Sequence, residues 1–168
     1  ELEDLSGFSR ERREVLLDYR DDLGSVDSVT AGIAELESLR ESGERQGWSE
    51  IECRDNRALL EREHRKLTRI ATLESIDSFV YTIRSWSIGE IVLLGLNGEL
   101  YNCYQTKVRE AVSDRAVMVG TLADGSDCWY LLDQSSYGKG LYQEDASVIK
   151  QGGLETLIDA TVKMLNLG

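Results

Sequence analysis

The spacing of apolar residues changes near residue 75, and this change constrains the fold more than any other feature of the sequence. Before it, apolar side chains recur at the 3.6-residue period of amphipathic helices, and aromatic residues are few. After it, residues 88–150 contain most of the tyrosines, in short apolar runs separated by Gly, Asn and Asp, as in strands and turns. The sequence therefore predicts a helical N-terminal region at 1–75 and an α+β domain at 76–168.

Start and stop signals predict four helices in and beside the first region. The clearest begins at a capping box, in which Ser49 and Glu52 satisfy each other's backbone groups. Gly43 is the predicted stop of the helix before it. Apolar stripes mark the first helix, through Val15, Leu16, Tyr19 and Leu23, and the fourth, through Ile76, Phe79, Val80 and Ile83. The predicted ranges are about 9–23, 28–42, 49–73 and 75–86.

The second region is typical of a sheet closed by a helix. Asn97-Gly98 between two apolar runs predicts a tight hairpin. The runs at 116–122 and 128–133 flank a second turn-like segment, and helical spacing returns over about 153–166. We therefore predict an α+β fold in which N-terminal helices are followed by an antiparallel meander of four to six strands and a C-terminal helix.

Charge and composition exclude several classes of protein. Acidic residues number 31 against 19 basic residues, for a net charge of −12, which weighs against binding to a nucleic-acid backbone. Apolar runs such as Ile91–Leu94 are far shorter than the roughly 20 residues that cross a bilayer. The three cysteines form no C-x-x-C pair, and the N-terminal residues carry no apolar signal segment, so a cytoplasmic location is predicted. The absence of an initiating Met predicts that the chain is a fragment.

The sequence offers no convincing catalytic or metal-binding motif. His64, the only histidine, lies between Leu60 and Leu67 at helical spacing, which predicts packing at a helix interface. The cysteines lie far apart from one another and from His64, so no metal site, no cofactor and no enzymatic activity are predicted. Tyr137–Gly140 is predicted to be a plain turn, although its backbone amides could also bind an anion.

Aromatic and acidic residues occur together around the last predicted strands. Aromatic side chains supply contact area, and carboxylates favour a basic partner. Cross-strand packing is the alternative role for the aromatic residues. The predicted partner-binding residues are Asp124, Asp127, Trp129, Tyr137, Tyr142 and Asp145.

These patterns predict an acidic, non-enzymatic protein-binding module of the immunity, chaperone or adaptor kind, with a basic partner protein. The alternative is a sensory or regulatory domain that binds a small ligand in a profilin-like or PAS-like sheet, in a pocket lined by Tyr101, Tyr104, Trp129 and Tyr142. The N-terminal helices either pack on the sheet or pair with a second copy of the chain.

From Leu94 onward the chain resembles the SUKH superfamily of toxin-immunity proteins and cell-wall-assembly regulators. The resemblance rests on the apolar segment ending at Asn97-Gly98, on the segment 124–133 (DGSDCWYLLD), on Val148 in a late strand, and on the amphipathic stretch 154–165. This chain lacks the Leu-Pro that is usual early in that family, because it contains no proline. The resemblance implies an α+β protein without catalysis that neutralises a toxin or binds another protein.

Overall fold

The computed structural model describes residues 7–73 and 78–167. Within them the chain forms two compact units. One is the continuous segment 21–73, and the other combines residues 7–20 with residues 78–167. The predicted division fell between 1–75 and 76–168, whereas residues 8–18 pair with β2 in the sheet of the second unit.

The first unit is a hairpin of two helices, α1 (Val26–Gln46) and α2 (Glu50–Ala71). Each begins with a capping box, at Ser25 and at Ser49, so the prediction of helices over 28–42 and 49–73 is confirmed. The unit has its own apolar core, made by Val29, Ile33, Leu60 and Ile70.

Two local predictions for this hairpin are wrong. Gly43 lies inside α1 under the indole of Trp48, and the helix ends instead at Gly47, which has a left-handed φ of 79°. His64 is exposed, because the buried stripe of α2 passes through Asn56, Leu60 and Ile70. His64 is therefore not a packed interface histidine.

The second unit contains a four-stranded mixed sheet. Its strands are β1 (Phe8–Asp18), β2 (Ser78–Ile88), β3 (Ile91–Gly95) and β5 (Ala116–Gly120), in the order β1-β2-β3-β5. The pairs β1–β2 and β2–β3 are antiparallel, and β3–β5 is parallel. Two short strands, β4 (Glu99–Leu100) and β6 (Tyr130–Leu131), form a separate parallel pair.

Helices and turns complete this unit. They are α3 (Cys103–Ala111), a 3-10 turn (Gln134–Ser136), α4 (Tyr142–Ala146) and α5 (Gly153–Leu167). The α+β class and the C-terminal helix are confirmed. The sheet is not a pure antiparallel meander, because α3 crosses over between β3 and β5 and makes that pair parallel.

The helices predicted over about 9–23 and 75–86 are wrong, since both segments form long strands that pair with each other from Phe8↔Ile88 to Asp18↔Ser78. Burial alternates along them: Leu17 and Tyr81 are buried, whereas Leu16 is 65% exposed. Ile76, part of the predicted stripe, lies outside the described residues.

The inner side of the sheet carries the core of this unit. Val92, Leu94 and Val117 point to this side and are buried, and α3 and α5 pack there. Tyr104 of α3 and Thr161 of α5 join through a buried hydroxyl–hydroxyl hydrogen bond of 2.7 Å. Both helices therefore cover the same side of the sheet, and neither covers its other side.

Candidate functional site

The predicted partner-binding residues lie on two segments beside β6. Asp124, Asp127 and Trp129 belong to the loop that leads into this strand, whereas Tyr137, Tyr142 and Asp145 follow it. Tyr130 of β6 joins the segments, since its ring meets that of Tyr142 edge-on with 6.2 Å between centroids.

Asn97 holds the first segment in place. Its amide nitrogen donates to the Asp124 carbonyl at 3.0 Å and to the Asp127 carboxylate at 2.9 Å. Its side-chain oxygen accepts from the Cys128 backbone N–H at 3.2 Å, and its own carbonyl accepts from the Tyr81 hydroxyl at 2.7 Å. Asn97 is buried, so it acts as a structural anchor for the loop.

The two motifs that were predicted to be separate hairpin turns pack directly against each other. The Gly98 backbone N–H donates to the Gly125 carbonyl at 2.9 Å. Gly98 has a φ of 72°, and a Cβ there would overlap the Cys128 sulfur. The predicted hairpin at Asn97-Gly98 is therefore wrong, since β3 and β4, on either side of it, belong to different sheets.

The acidic side chains of this loop already have partners inside the molecule. Arg84 of β2 donates to the Asp124 carboxylate at 2.8 Å, and the Asp124 side chain is only 23% exposed. Asp127 is exposed but accepts from Asn97. Trp129 is half-buried with a left-handed φ of 59°, a strained conformation for a bulky residue. These contacts give Asp124 and Trp129 structural roles beside any role in binding.

The second segment offers more free surface. Tyr142 is 57% exposed and Asp145 is exposed. Tyr137 is half-buried, and its hydroxyl donates to the Ile149 carbonyl at 2.8 Å. Of the three aromatic residues predicted to contact a partner, Tyr142 is therefore the most accessible.

The Tyr137–Gly140 turn binds an anion that the chain itself supplies. The Gly138 N–H donates to the Glu144 carboxylate at 2.8 Å. This bond, with weaker contributions from the amides of Gly140 and Lys139 and from the charge of Arg20, lowers the pKa of Glu144. An internal carboxylate therefore takes the place that a bound phosphate or carboxylate ligand would need.

Cys103, Cys128 and Tyr81 lack the lowered pKa of an activated nucleophile. Burial raises the pKa of Cys128 and of Tyr81, which keeps both protonated at neutral pH. Desolvation, followed by the charge of Asp133, also raises the pKa of the Cys103 thiol. Across residues 7–73 and 78–167, no three His, Cys, Asp or Glu side chains form a cluster suited to a metal ion.

A cavity of about 300 Å³ opens between α3 and the sheet. Two of the four aromatic residues named for a small-ligand pocket line it, Tyr101 and Tyr104. The Tyr104 hydroxyl is engaged by Thr161, and the side chain of Gln105 donates to that of Asn102. Several polar groups that line the cavity therefore already form hydrogen bonds within the protein.

Several exposed apolar side chains lie on the side of the sheet opposite α3 and α5. We call this side the outer face. Phe8, Leu16 and Met118 are 67%, 65% and 57% exposed, and Ile88 is 39% exposed. Register and alternation place further half-buried side chains beside them. The apolar residues of the outer face are Phe8, Leu16, Val80, Trp86, Ile88, Ile91, Leu93 and Met118.

A groove of about 370 Å³ crosses the outer face at β1 and β2. It is lined by Arg10, Glu11, Arg12, Arg84 and Trp86. Arg10 lies opposite Trp86, and Arg12 lies opposite Arg84, across the two strands. Because Arg84 also contacts Asp124, the loop that contains three of the predicted site residues borders this groove.

The outer face was not predicted from the sequence, because both of its long strands were predicted to be helices. A signal was present in residues 78–88, SFVYTIRSWSI, where aromatic and β-branched residues are abundant and Phe79, Tyr81 and Ile83 alternate with other residues. Residues 8–14 gave no such signal, because they are dominated by charged side chains.

Comparison of the chain with models of known protein families, with curated proteins and with solved structures found no match. The resemblance to the SUKH superfamily stays a prediction. Among the described helices, none has both the length and the apolar character needed to cross a membrane.

Proposed function

We propose that this protein is a non-enzymatic protein-binding module whose main contact surface is the outer face. The observation that carries the proposal is an apolar cluster to which all four strands contribute, and in which Phe8 and Met118 are more than half exposed. Its members are neighbours by register: Phe8, Trp86, Ile88, Ile91, Leu93 and Met118. Leu16 is also more than half exposed on this face, beyond Arg12 and Glu14. Contiguous exposed apolar surface marks sites of protein interaction, because its burial against a partner removes it from water. Aromatic anchors such as Trp86 and Phe8 supply most binding energy in such interfaces.

The set of six residues predicted from the sequence is a second surface for the same function. Its exposed members Asp127, Tyr142 and Asp145 would meet a basic partner, as the composition suggests. The outer face is favoured because Asp124 and Asp127 already receive hydrogen bonds from Arg84 and Asn97.

The small-ligand alternative has one observation in its favour, the cavity lined by Tyr101 and Tyr104. Ligand pockets usually combine an apolar lining with polar groups that await a partner. Here the Tyr104 hydroxyl is bonded to Thr161, which weakens this alternative.

Site-specific photocrosslinking in the source cells tests the proposal. A photoreactive amino acid replaces Leu16 or Met118 on the outer face, Tyr142 on the second surface, or Lys107 on the exposed side of α3 as the control. We expect one discrete adduct of the same size from positions 16 and 118, and none from position 107. Adducts from position 142 alone would place the interface on the second surface. Adducts from position 107 alone would contradict both candidate surfaces.

A further inference from the structure

We infer that the outer face binds an acidic, apolar segment of a partner protein, with partner carboxylates on the arginines of the groove and partner apolar side chains against Trp86 and its neighbours. The inference rests on the proposed function and specifies the chemistry of the partner. It also departs from the basic partner that the net charge of the chain suggests.

The groove concentrates positive charge on a protein that is otherwise acidic. Arg10, Arg12 and Arg84 occupy outward positions of β1 and β2, where the acidic strand residues on the same side are Glu14 and, further along β1, Asp18. Alternation places Glu11 on the opposite side of β1 from its two arginine neighbours. Arginine binds carboxylates through two parallel hydrogen bonds, which suits it to recognise Asp and Glu side chains.

Two of these arginines form ion pairs that a ligand could replace, one with the exposed Glu14 and one with the half-buried Asp124. Arg12 contacts Glu14 at 2.5 Å, and both side chains are more than half exposed. Arg84 contacts Asp124 at 2.8 Å with 40% of its own side chain exposed. Ion pairs in contact with water contribute little to stability, so they exchange readily with carboxylates from a partner. No ion pair is recorded between Arg10 and any described residue.

The strand register places Arg12 directly opposite Arg84. Like charges at directly opposed positions destabilise an antiparallel pair. An anionic ligand that lies between the two guanidinium groups would offset this repulsion. Residues that lower the stability of the fold but favour the binding of a ligand are typical of binding sites.

Other occupants fit the face less well. A nucleic acid would need many more phosphate contacts than three arginines supply, and it would be repelled by the net charge of −12. A second copy in a two-fold dimer would bring the arginines of both copies into one interface. The edge of β1 is also a poor template for an added strand, because charged residues dominate it between Arg10 and Glu14.

Selection of random dodecapeptides on the immobilised full-length chain tests the inference. We expect the enriched peptides to contain more Asp and Glu than Lys and Arg, together with aromatic or aliphatic residues. Arg12→Glu should lower the affinity for the best peptide by about tenfold or more. Added salt should lower the affinity of the unchanged protein for the same peptide. Lys107→Glu makes a similar charge change on α3 and should leave binding unaltered.

Stability separates a binding role for Arg12 from a structural one. Arg12→Glu replaces a like-charge pair across the strands with an opposite-charge pair, so the thermal unfolding midpoint should be kept or raised while peptide binding falls. A lower midpoint that accompanies the loss of binding would overturn the inference.

Each of the remaining outcomes would contradict the inference, the proposed function or both. Enriched peptides that are neutral or basic, yet compete with photocrosslinking at positions 16 and 118, would overturn the acidic chemistry and leave the protein-binding function standing. Failure to enrich any peptide, together with the absence of adducts at those positions, would overturn both. A dimer that Met118→Asp dissociates, or a labelled single-stranded oligonucleotide that binds unless Arg12 is replaced by Glu, would also overturn the inference.

Discussion

Asn97 joins two loops through a buried side chain. Its amide group donates to both Asp124 and Asp127 and accepts from Cys128, so each atom of the amide has a defined partner. Sequence alone predicts a turn at Asn97-Gly98, because this dipeptide is typical of hairpins. The residue instead has the role of a buried polar anchor, which depends on a loop about 30 positions further along the chain.

Asn97→Asp should destabilise the protein by about 2 kcal/mol or more, because the carboxylate cannot donate to the Asp124 carbonyl and repels Asp127. The loss should grow as pH rises from about 3 to 6, where carboxyl groups ionise. Chemical denaturation at several pH values measures it. Asn102→Asp at an exposed position is the control, and an equal loss in both variants would contradict the role of Asn97.

Glu144 gives the molecule a pH-dependent loop. Its pKa is lowered chiefly by the Gly138 N–H, so the folded state favours the ionised carboxylate. A group whose pKa is lower in the folded state than in the unfolded state stabilises the fold above its unfolded pKa, and the contribution disappears as pH falls through the folded value. The Tyr137–Gly140 turn should therefore loosen in acid.

Glu144→Gln should reduce the hydrogen-exchange protection of the Gly138 amide at neutral pH, because the charged acceptor is lost. The unchanged protein should lose the same protection when the pH falls below the usual range of a glutamate. Asp159→Asn, which neutralises an exposed carboxylate on α5, should have no such effect. Equal protection of Gly138 in both variants would show that the turn does not depend on Glu144.

At the scale of elements, β1 is the least expected feature. Its sequence, FSRERREVLLD, is rich in charged residues, and its last apolar residues fit a helical stripe as well as a strand. Pairing with β2 decides between them, because cross-strand contacts supply most of the stability of a strand. The strand buries Leu17 almost completely and leaves Leu16 exposed, whereas the helical stripe required Leu16 to face inward.

Leu17→Ala should lower the free energy of unfolding by about 2 to 4 kcal/mol, because it leaves a cavity under the sheet. Leu16→Ala should change stability by less than about 0.5 kcal/mol, since this side chain is mostly in water. Urea denaturation of the two variants measures the difference. A larger effect at Leu16 than at Leu17 would favour the helix over the strand.

At the scale of the whole molecule, the helical hairpin is an insertion in a β-hairpin. β1 and β2 are antiparallel, and their last pair joins Asp18 to Ser78. The Cα atoms of such a pair are only about 5 Å apart, so the strand ends on either side of the insertion are neighbours. The hairpin at 21–73 also has its own apolar core, whose residues all belong to this segment.

Replacement of residues 21–77 by a short Gly/Ser linker should therefore preserve the sheet unit. We expect cooperative thermal unfolding and the strand signals of β1 and β2 in NMR spectra. A fragment of residues 76–168, the domain predicted from the sequence, lacks β1 and should be markedly less stable. Cooperative unfolding of that fragment, with an unfolded linker variant, would contradict the insertion.

The sequence by itself determined the helices whose signals are local. The capping box at Ser49 and the apolar periodicity of α5 lie within a few residues of the backbone that they organise. A helix forms its hydrogen bonds between residues four positions apart, so nearby residues suffice to predict it. The overall α+β class followed from the same local patterns.

Only the tertiary structure decided the two long strands, the parallel pair and the candidate surfaces. Asp18 and Ser78 are partners across 60 positions, and β3 pairs with β5 across a helix. A short stretch of sequence therefore contains only one of the two strands of each pair. The outer face gathers Phe8, Trp86 and Met118 from three separated segments, and Arg12 meets Arg84 only because the register brings them together. Strand pairing is a non-local interaction, and the surface that it creates cannot be predicted until the partners of each strand are known.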